Sequence, residues 1–268
     1  MTGYHHWILT FNRPHALNRL ITNLGRQGIR SSVFSNHPQV QLTAESKSFL
    51  DDVVVNSLNS SMSNSWCARS WNSIMLRGWP KYERLVLVQD DTNVSNDYKD
   101  WFEHYIQTYD IMWGPGGDQW HTLRFENFKK TGYWDERYIG CYCGDADYLK
   151  RLYHENDQSK ISIEDGHCWA PSSHNPTGIE RHVLTEMHVK ACDPNYKNQH
   201  WELEEGGNPT IKASDRHYRR KWGHQIEQGV EIGASHTRQP GMDEIDWYPW
   251  FTKLYGVNPH HGDVWKGD

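Results

Sequence analysis

The sequence predicts an α/β fold with a largely parallel β-sheet, followed by a C-terminal extension. Short apolar segments that suit strands alternate with segments whose apolar residues recur at helical spacing, the pattern of parallel strands joined by crossover helices. Polar residues directly follow several apolar segments. From about residue 193 the periodicity weakens while Gly, Asn, Pro and His accumulate. We therefore predict a main domain over residues 1–195 and an extension over 196–268 that packs on its core.

Four strands are predicted in the first half of the chain, at residues 7–11, 29–34, 53–55 and 84–88. The helix after the first strand has marked ends: Asn12 is placed to cap it, Pro14 suits its first turn, and Gly25 to Gly28 is placed to close it. A second helix carries Trp66, Trp71, Ile74 and Met75.

The second half has a weaker pattern. A helix is predicted over residues 101–109, a helix begins near residue 148, a strand covers 161–163, and a last helix lies near 245–255. Between the first two helices, residues 114–117 read Gly-Pro-Gly-Gly, which predicts either a surface turn or a mobile lid over a bound ligand.

Charge and composition restrict the function classes. The chain has 28 Lys and Arg against 34 Asp and Glu, a net charge of −6, which does not favour a nucleic-acid partner. No apolar stretch approaches the length of a transmembrane segment, and the N-terminus lacks the basic and long apolar regions of a signal peptide. Five scattered cysteines suit a reducing compartment. We therefore predict a cytoplasmic protein.

Two acidic pairs are candidates for chemistry. Asp90 and Asp91 directly follow the fourth predicted strand, where a carboxylate can hold a divalent ion that in turn holds a diphosphate; a turn or helix cap accounts for the same residues. Asp145 and Asp147 precede a helix. A carboxylate there can accept the proton of an attacking hydroxyl, or can simply cap the helix. Ligands of parallel sheets bind beyond the carboxyl ends of the strands, where Asp90 and Asp91 are expected.

Six segments resemble the GT-A glycosyltransferases of glycosyltransferase family 2, over roughly residues 5–190 with a short match near 217–223. In chain order the segments are ILTFNR at 8–13, VFSN at 33–36, VQDDT at 88–92, GYWDERY at 132–138, DADY at 145–148 and KWG at 221–223. No single motif is highly specific, but their order and spacing together resemble the family.

The resemblance implies a GT-A (Rossmann-like) three-layer sandwich with a mixed, mostly parallel central sheet. It also implies a hexosyl- or pentosyltransferase that moves a sugar from a nucleotide-diphosphate-sugar donor to an acceptor hydroxyl, with Mn²⁺ or Mg²⁺ as cofactor and inversion at the anomeric carbon. The acceptor stays open between a glycan on a protein, a lipid-linked sugar, a polysaccharide and a modified base in DNA. The oligomeric state is also left open.

On the donor side, the resemblance implies that Asp91 binds the metal that bridges the diphosphate, and that Asp90 contacts the ribose or supports this ligand. A further metal ligand would be His167 or His174, and Arg69 would lie near the phosphates. The residues placed around the nucleotide sugar are Thr10, Asn12, Arg13, Asn36, Arg69, Asp90 and Asp91.

On the acceptor side, the resemblance implies that Asp145 is the general base. The residues placed beside the acceptor are Trp134, Asp135, Glu136 and Asp147. Three positions depart from the family: Ser35 stands where Asp is common, the metal motif has Gln89 at its first place, and Gly144 stands where Glu is common before the base. The last departure leaves open whether Asp145 or Asp147 acts as the base.

Two other functions stay open. A nucleotidyltransferase can share the strand-end nucleotide site and the metal carboxylate, but it usually has a Gly-rich basic loop after the first strand, whereas this chain has Asn12-Arg13-Pro14. The other is a non-catalytic module that binds a sugar or nucleotide and derives from a transferase. The presence of both Asp91 and Asp145 argues against such a decayed enzyme.

Overall fold

The computed structural model describes residues 3–10, 13–56, 67–79, 81–90, 92, 94–114, 119–138, 144–163, 216–218 and 221. Their strands are β1 Tyr4–Thr10, β2 Ser31–Ser35, β3 Leu50–Val55, β4 Arg84–Gln89, β5 Ile111–Trp113, β6 Trp120–Arg124 and β7 Ile161–Ile163. Their helices are α1 Pro14–Arg26, α2 Ala44–Ser48, α3 Cys67–Gly78, α4 Tyr98–Tyr105, α5 Phe125–Thr131 and α6 Gly144–Glu155.

The seven strands form one sheet in the order β3-β2-β1-β4-β6-β5-β7. Strand β1 pairs in parallel with β2 on one side and with β4 on the other. Within this sheet β6 runs antiparallel to both of its neighbours, while β5 and β7 pair in parallel. The predicted α/β fold with a mixed, mostly parallel sheet is confirmed.

The strands send alternate side chains into two separate cores. Trp7 and Leu9 of β1 lie in one core and Ile8 lies in the other, and β4 alternates in the same way with Leu85 and Val86. Helices α3, α5 and α6 cover the first core, and α1 and α4 cover the second. Because helices cover both faces of the sheet, the described residues form three layers.

The ends of α1 differ in part from the prediction. Arg13, not Asn12, is the N-cap residue, and it makes no side-chain capping hydrogen bond, so the cap prediction was wrong; Asn12 itself lies outside the described residues. Pro14 begins the helix as predicted. At the other end Gly28 has φ of +77°, its N–H donates to the Gly25 carbonyl, and the next N–H returns to Leu24, a glycine-dependent helix stop.

The second half of the sheet is where the sequence is least informative. No sequence feature predicts β5 or β6, which have only three and five residues. Helix α4 covers Tyr98–Tyr105 instead of the predicted 101–109. It begins earlier, with Tyr98 fully buried in the second core, and it ends earlier, with Ile106 as its C-cap residue. The predicted strand at Ile161–Ile163 is confirmed. Residues 115–117 of the predicted lid or turn and the predicted helix near 245–255 lie outside the described residues.

Part of the predicted extension is described. Tyr218 is buried in the first core and Lys221 is 4% exposed. The division at residue 195 stays a prediction, since residues 164–215 lie outside the described ranges. Among the described residues, no helix combines the length and the apolar character needed to cross a membrane.

Replacing Gly25 with alanine is expected to lower the free energy of unfolding. A Cβ atom at this position would lie 2.1 Å from Cγ of the Phe49 ring, and such overpacking typically costs about 1–3 kcal/mol. Urea denaturation of Gly25→Ala measures the change. His15→Ala, on an exposed position of the same helix, is the control and should stay within about 0.5 kcal/mol of wild type. Stabilisation of Gly25→Ala, as helix propensity alone predicts, contradicts the steric argument.

Candidate active site

The carboxyl ends of β1, β2 and β4 meet at one edge of the sheet. Backbone hydrogen bonds continue past the strand ends, from the N–H of Asp90 to the carbonyl of Leu9 and from the N–H of Asn36 to the carbonyl of Thr10, both 3.0 Å. The chain order reverses here, because β2 lies on one side of β1 and β4 on the other. Such a switch point is where open α/β sheets bind their ligands.

Asp90 connects β1, β4 and the start of α1 at this edge of the sheet. Its carboxylate accepts a hydrogen bond of 2.5 Å from the Thr10 hydroxyl. It also forms an ion pair with Arg13, whose Nη2 lies 2.9 Å from the other carboxylate oxygen. Asp90 is fully buried, so both contacts are shielded from water. The carboxylate therefore sets the position of the start of α1 relative to β1 and β4.

An open cleft lies beside this contact, beyond the ends of β1 and β2. Its volume is about 220 Å³, including space open to solvent. The residues that line it are Thr10, Arg13, Pro14, Leu17, Ser35, Gln39, Val40 and Gln41. Its lining combines apolar side chains with two amides, two hydroxyls and the Arg13 guanidinium, and no acidic side chain is among these residues.

Ser35, which stands where the family often has Asp, is occupied within its own turn. Its hydroxyl donates to the carbonyl of His37 at 2.8 Å and accepts the N–H of the same residue at 3.1 Å. The polar side chains of the segment that forms the outer wall of the cleft belong to Gln39 and Gln41. Asn18 of α1 holds that segment through hydrogen bonds to the carbonyl of Gln41 and the N–H of Thr43, 2.9 and 2.8 Å long.

Asn36 contacts α3. Its fully buried side chain donates to Oγ of Ser70 at 2.7 Å, and its Oδ1 accepts from Nδ2 of Asn56 at 3.0 Å. Asn56 directly follows β3, so the three side chains connect the ends of β2 and β3 to the first turns of α3. The Asn36 side chain therefore supports the strand-end region from behind the cleft.

The same turns of α3 also hold the segment at 134–136. Nε of Arg69 donates to Glu136 at 3.2 Å, and Nδ2 of Asn72 donates to the other oxygen of Glu136 at 2.9 Å. Asn72 also exchanges two hydrogen bonds with the backbone of Trp134, 2.9 and 2.7 Å long. Helix α3 thus links the side of the sheet predicted to bind the donor to the segment predicted to lie beside the acceptor.

Trp134 itself lies in the first core. It is 1% exposed, and its ring stacks on Tyr148 with centroids 4.4 Å apart and planes 14° apart. The backbone of Trp134 is held by Asn72, as described above. In this arrangement the contribution of Trp134 to the site is to fix the path of the segment that follows it.

Asp135 is the centre of one buried ion cluster. It accepts from Nε of Arg137 at 2.7 Å, from Nζ of Lys221 at 3.0 Å and from Nε2 of His217 at 3.3 Å. Burial by itself would raise the pKa of the Asp135 carboxyl, but the Lys221 ammonium, the His217 hydrogen bond and Arg137 outweigh it and hold that pKa well below its usual value. Asp135 is therefore a carboxylate at neutral pH.

Asp147 is buried in a second cluster that shares Lys221. It pairs with Nζ of Lys221 at 2.7 Å and Nε of Arg151 at 3.0 Å, and the Tyr138 hydroxyl donates to it at 3.2 Å. Burial again opposes ionisation, but Lys221 and Arg151 hold the pKa of Asp147 below its usual value. A carboxylate with a lowered pKa, no exposure and two cationic partners is poorly suited to accept a proton from a substrate.

Asp145 has a different environment although it lies only two residues away. It is in the first turn of α6 and is partly exposed, whereas Asp147 is fully buried. Oδ1 of Asp145 accepts the N–H of Ala146 at 2.8 Å, which orients the carboxylate at the helix start. Of the two candidate bases, Asp145 is the more exposed.

The metal site implied by the resemblance is only partly described. Asp91 and His167, its two expected ligands, both lie outside the described residues. Asp90, their described neighbour, already contacts Thr10 and Arg13 with its two oxygens, which fits a supporting role. Within the described ranges no three His, Cys, Asp or Glu side chains come together to hold an ion. The assignment of Asp91 and His167 as metal ligands stays a prediction.

The structure brings five of the described candidate residues into two groups. Thr10, Arg13 and Asp90 surround the strand ends, while Arg69 and Glu136 join α3 to the predicted acceptor side. Sequence reasoning missed three residues that hold these groups in place, namely Ser70, Asn72 and His217. No local signal marks them, because each of them contacts a residue at least 34 positions away.

Comparison with known proteins gives distant structural similarity. No protein-family model matches the sequence, and no curated protein matches it. TarS of S. aureus, residues 1–349, aligns at a TM-score of 0.47 and 12% identity, over 61% of this chain and 58% of that one. A mannosyltransferase from Pyrobaculum calidifontis, solved with GDP-Man and Mn²⁺, aligns at 0.41 and 9%, over 60% and 56%.

A third similar structure is glucosyl-3-phosphoglycerate synthase from Mycobacterium tuberculosis with phosphoglyceric acid, at a TM-score of 0.42 and 9% identity, over 60% of this chain and 69% of that one. The chain thus spans 58% and 56% of the first two proteins. Similarities at this level carry no argument about activity. The described strands form the mixed, mostly parallel α/β sheet that the resemblance implies, and the similar solved structures are GT-A-type glycosyltransferases.

Proposed function

We propose that the chain is a metal-dependent glycosyltransferase that moves a sugar from a nucleotide-diphosphate-sugar donor to an acceptor hydroxyl. The observation that carries this proposal is the buried Asp90–Thr10–Arg13 contact beside an open cleft at the switch point of the sheet. This contact gives a nucleotide a rigid, polar surface at the ends of the strands. Asp91 directly follows Asp90 in the sequence.

In this proposal the nucleoside of the donor occupies the cleft. Pro14, Leu17 and Val40 offer apolar surface to the faces of the base, while Gln39 and Gln41 offer amide donors and acceptors to its edge. The Arg13 guanidinium lies between the cleft and Asp90, where it can also face the donor diphosphate. Each amide can rotate to present either a donor or an acceptor, so the two glutamines suit the edges of more than one base.

The proposed metal is Mn²⁺ or Mg²⁺, with Asp91 as one ligand and His167 as another. When bound, the ion offsets the negative charge that develops on the leaving diphosphate. Asp90 supports this edge through Thr10 and Arg13, so that the backbone entering Asp91 is fixed. Arg69, held by Glu136, is proposed to lie on the phosphate side of the donor.

The proposed base is Asp145. The acceptor oxygen attacks the anomeric carbon as its proton passes to the Asp145 carboxylate, and the bond from that carbon to the diphosphate oxygen breaks in line, which inverts the configuration. The exposure of Asp145 and the two ion pairs of Asp147 support this choice.

We also propose the cytoplasm as the compartment and residues 196–268 as an extension that completes the acceptor side.

Asp91→Ala is expected to remove the metal dependence of donor binding. We would incubate the wild type with a panel of UDP-, GDP-, ADP-, CDP- and dTDP-sugars and Mn²⁺, identify the donor from release of its nucleotide, and measure its affinity by calorimetry with and without Mn²⁺. A charged ligand to a bound ion is worth several kcal/mol in a shielded site, so the variant should lose at least about tenfold in affinity with Mn²⁺ and little without it. Equal metal-dependent affinity in both proteins contradicts the role of Asp91.

The same panel separates the alternatives. A nucleotidyltransferase releases inorganic pyrophosphate from a nucleoside triphosphate and a sugar phosphate, and is inactive on the finished nucleotide sugars. A non-catalytic module binds a nucleotide sugar without releasing its sugar. Release of nucleoside diphosphate and free or transferred sugar supports glycosyl transfer.

A further inference from the structure

Lys221 connects two segments that are far apart in the chain. Its Nζ lies 3.0 Å from Oδ2 of Asp135 and 2.7 Å from Oδ1 of Asp147, and Lys221 is only 4% exposed. Asp135 is 86 residues away in sequence, in the segment that α3 holds, and Asp147 is in the first turns of α6. One ammonium group thus bridges two buried carboxylates that belong to different elements.

The two bridged segments are the ones that the proposed reaction needs in a fixed relation. Asp135 lies between Trp134 and Glu136, both anchored to Asn72 of α3. Asp147 is two residues beyond Asp145, on the same helix start. A shift of α6 relative to α3 would move the Asp145 carboxylate relative to the rest of the site.

The bridge is well suited to resist such a shift. Both carboxylates are buried and have lowered pKa values, so both are charged at neutral pH and both attract the ammonium. Without the cation, two buried carboxylates would face the same space, which favours their separation or the entry of water. One of the contacts that hold α6 against this segment therefore comes from the C-terminal part of the chain.

We propose that Lys221 is a positioning residue for glycosyl transfer: it holds the start of α6, with Asp145, against the segment 134–138. This inference rests on the proposed function and adds to it a residue that contacts neither donor nor metal. Lys221 acts through Asp135 and Asp147, so its loss should change the rate of the chemical step while the donor cleft at the other strand ends stays intact.

The test compares Lys221→Met, Lys221→Arg and the control Arg84→Met. Methionine keeps most of the length of the lysine and removes its charge, while arginine restores a cation. Arg84 is also a buried cation, 4% exposed, but it donates to the carbonyls of Tyr109 and Asp110 at the amino-terminal end of β4, opposite the candidate site. It therefore reports the effect of losing a buried cation without affecting α6.

Each variant is assayed with the nucleotide sugar that the wild type turns over, in the presence of Mn²⁺, together with thermal unfolding and donor affinity. Lys221→Met is expected to lower kcat by about 10²-fold, the usual consequence of misplacing a catalytic group by about 1 Å, while donor KM stays nearly constant. Lys221→Arg should recover most of the lost kcat. Arg84→Met should lose stability but keep its kcat per folded molecule.

Three outcomes overturn the inference: an unchanged kcat in Lys221→Met, a decrease in kcat that matches the folded fraction alone, or an equal decrease in Arg84→Met. If Lys221→Met does not fold, the double variant Asp135→Asn/Lys221→Met replaces it, because this variant also removes one of the two carboxylates. Its kcat is expected to fall by the same factor while donor KM stays nearly constant. Failure of the proposed function is distinct, because then the wild type itself turns over no nucleotide sugar.

Discussion

Asp145→Asn is expected to abolish most of the transfer activity while donor binding is kept. Asparagine is nearly the same size but does not accept the proton of the acceptor hydroxyl, and the loss of a general base typically lowers kcat by about 10²–10⁴-fold. Donor affinity should stay within about twofold, because the base acts on the acceptor and not on the nucleotide. Steady-state kinetics with the donor found in the panel, and calorimetric titration of the same donor, measure both quantities.

The matched control is Asp100→Asn. Asp100 is an exposed acidic residue in the first turn of α4, so its replacement removes the same favourable interaction with a helix N-terminus, worth about 0.3–1 kcal/mol, without affecting the site. If the two variants have equal turnover, Asp145 is not the base. If Asp145→Asn loses donor affinity as strongly as it loses kcat, the residue belongs to the donor side instead.

Asp147→Asn is expected to destabilise the fold strongly. The change leaves the ammonium of Lys221 and the guanidinium of Arg151 buried beside a neutral amide, and removal of one partner of a buried ion pair typically costs about 3–5 kcal/mol. Urea denaturation followed by circular dichroism measures the loss. Glu45→Gln is the control, because Glu45 forms an exposed pair with Arg26 that should contribute no more than about 1 kcal/mol.

The same contacts make the stability of the wild type depend on pH. Asp135 and Asp147 both have lowered pKa values in the folded chain, so the folded state holds fewer protons than the unfolded state under acidic conditions. Their contribution is fully present above the unfolded value of about 3.9 and is lost as the pH falls through the folded values. Asp147→Asn should therefore show a smaller loss of stability on acidification than the wild type. An equal loss in both proteins contradicts the assignment.

The two carboxylates of the sequence Asp-Ala-Asp show how far local information reaches. The sequence predicts that both precede a helix beginning near residue 148, and it leaves open which of them acts as the base, whereas the structure places both in the first turn of α6. The tertiary structure separates them: Asp147 is fully buried with Arg151 and Lys221, while Asp145 is partly exposed. Arg151, four residues after Asp147, is the one partner that helical spacing alone can indicate.

The sequence by itself determined the elements whose signal is local. The helical spacing of Leu17, Leu20 and Ile21, Pro14 at the start of α1 and Gly28 at its end depend on neighbours within a few residues, and the structure confirms each of them. The same holds for the parallel strands β1, β2 and β4 and for the polar residues that follow them, because each strand is a continuous buried run.

Only the tertiary structure decided what depends on pairings between distant residues. Strands β5 and β6 are too short to show a period of their own, and the antiparallel direction of β6 appears only in its pairing with β4 and β5. The bridge from Lys221 to Asp135 spans 86 residues, and the same ammonium group contacts the buried Asp147. Contacts between residues so far apart in the chain do not change the local sequence pattern. They can therefore be identified only from the folded structure.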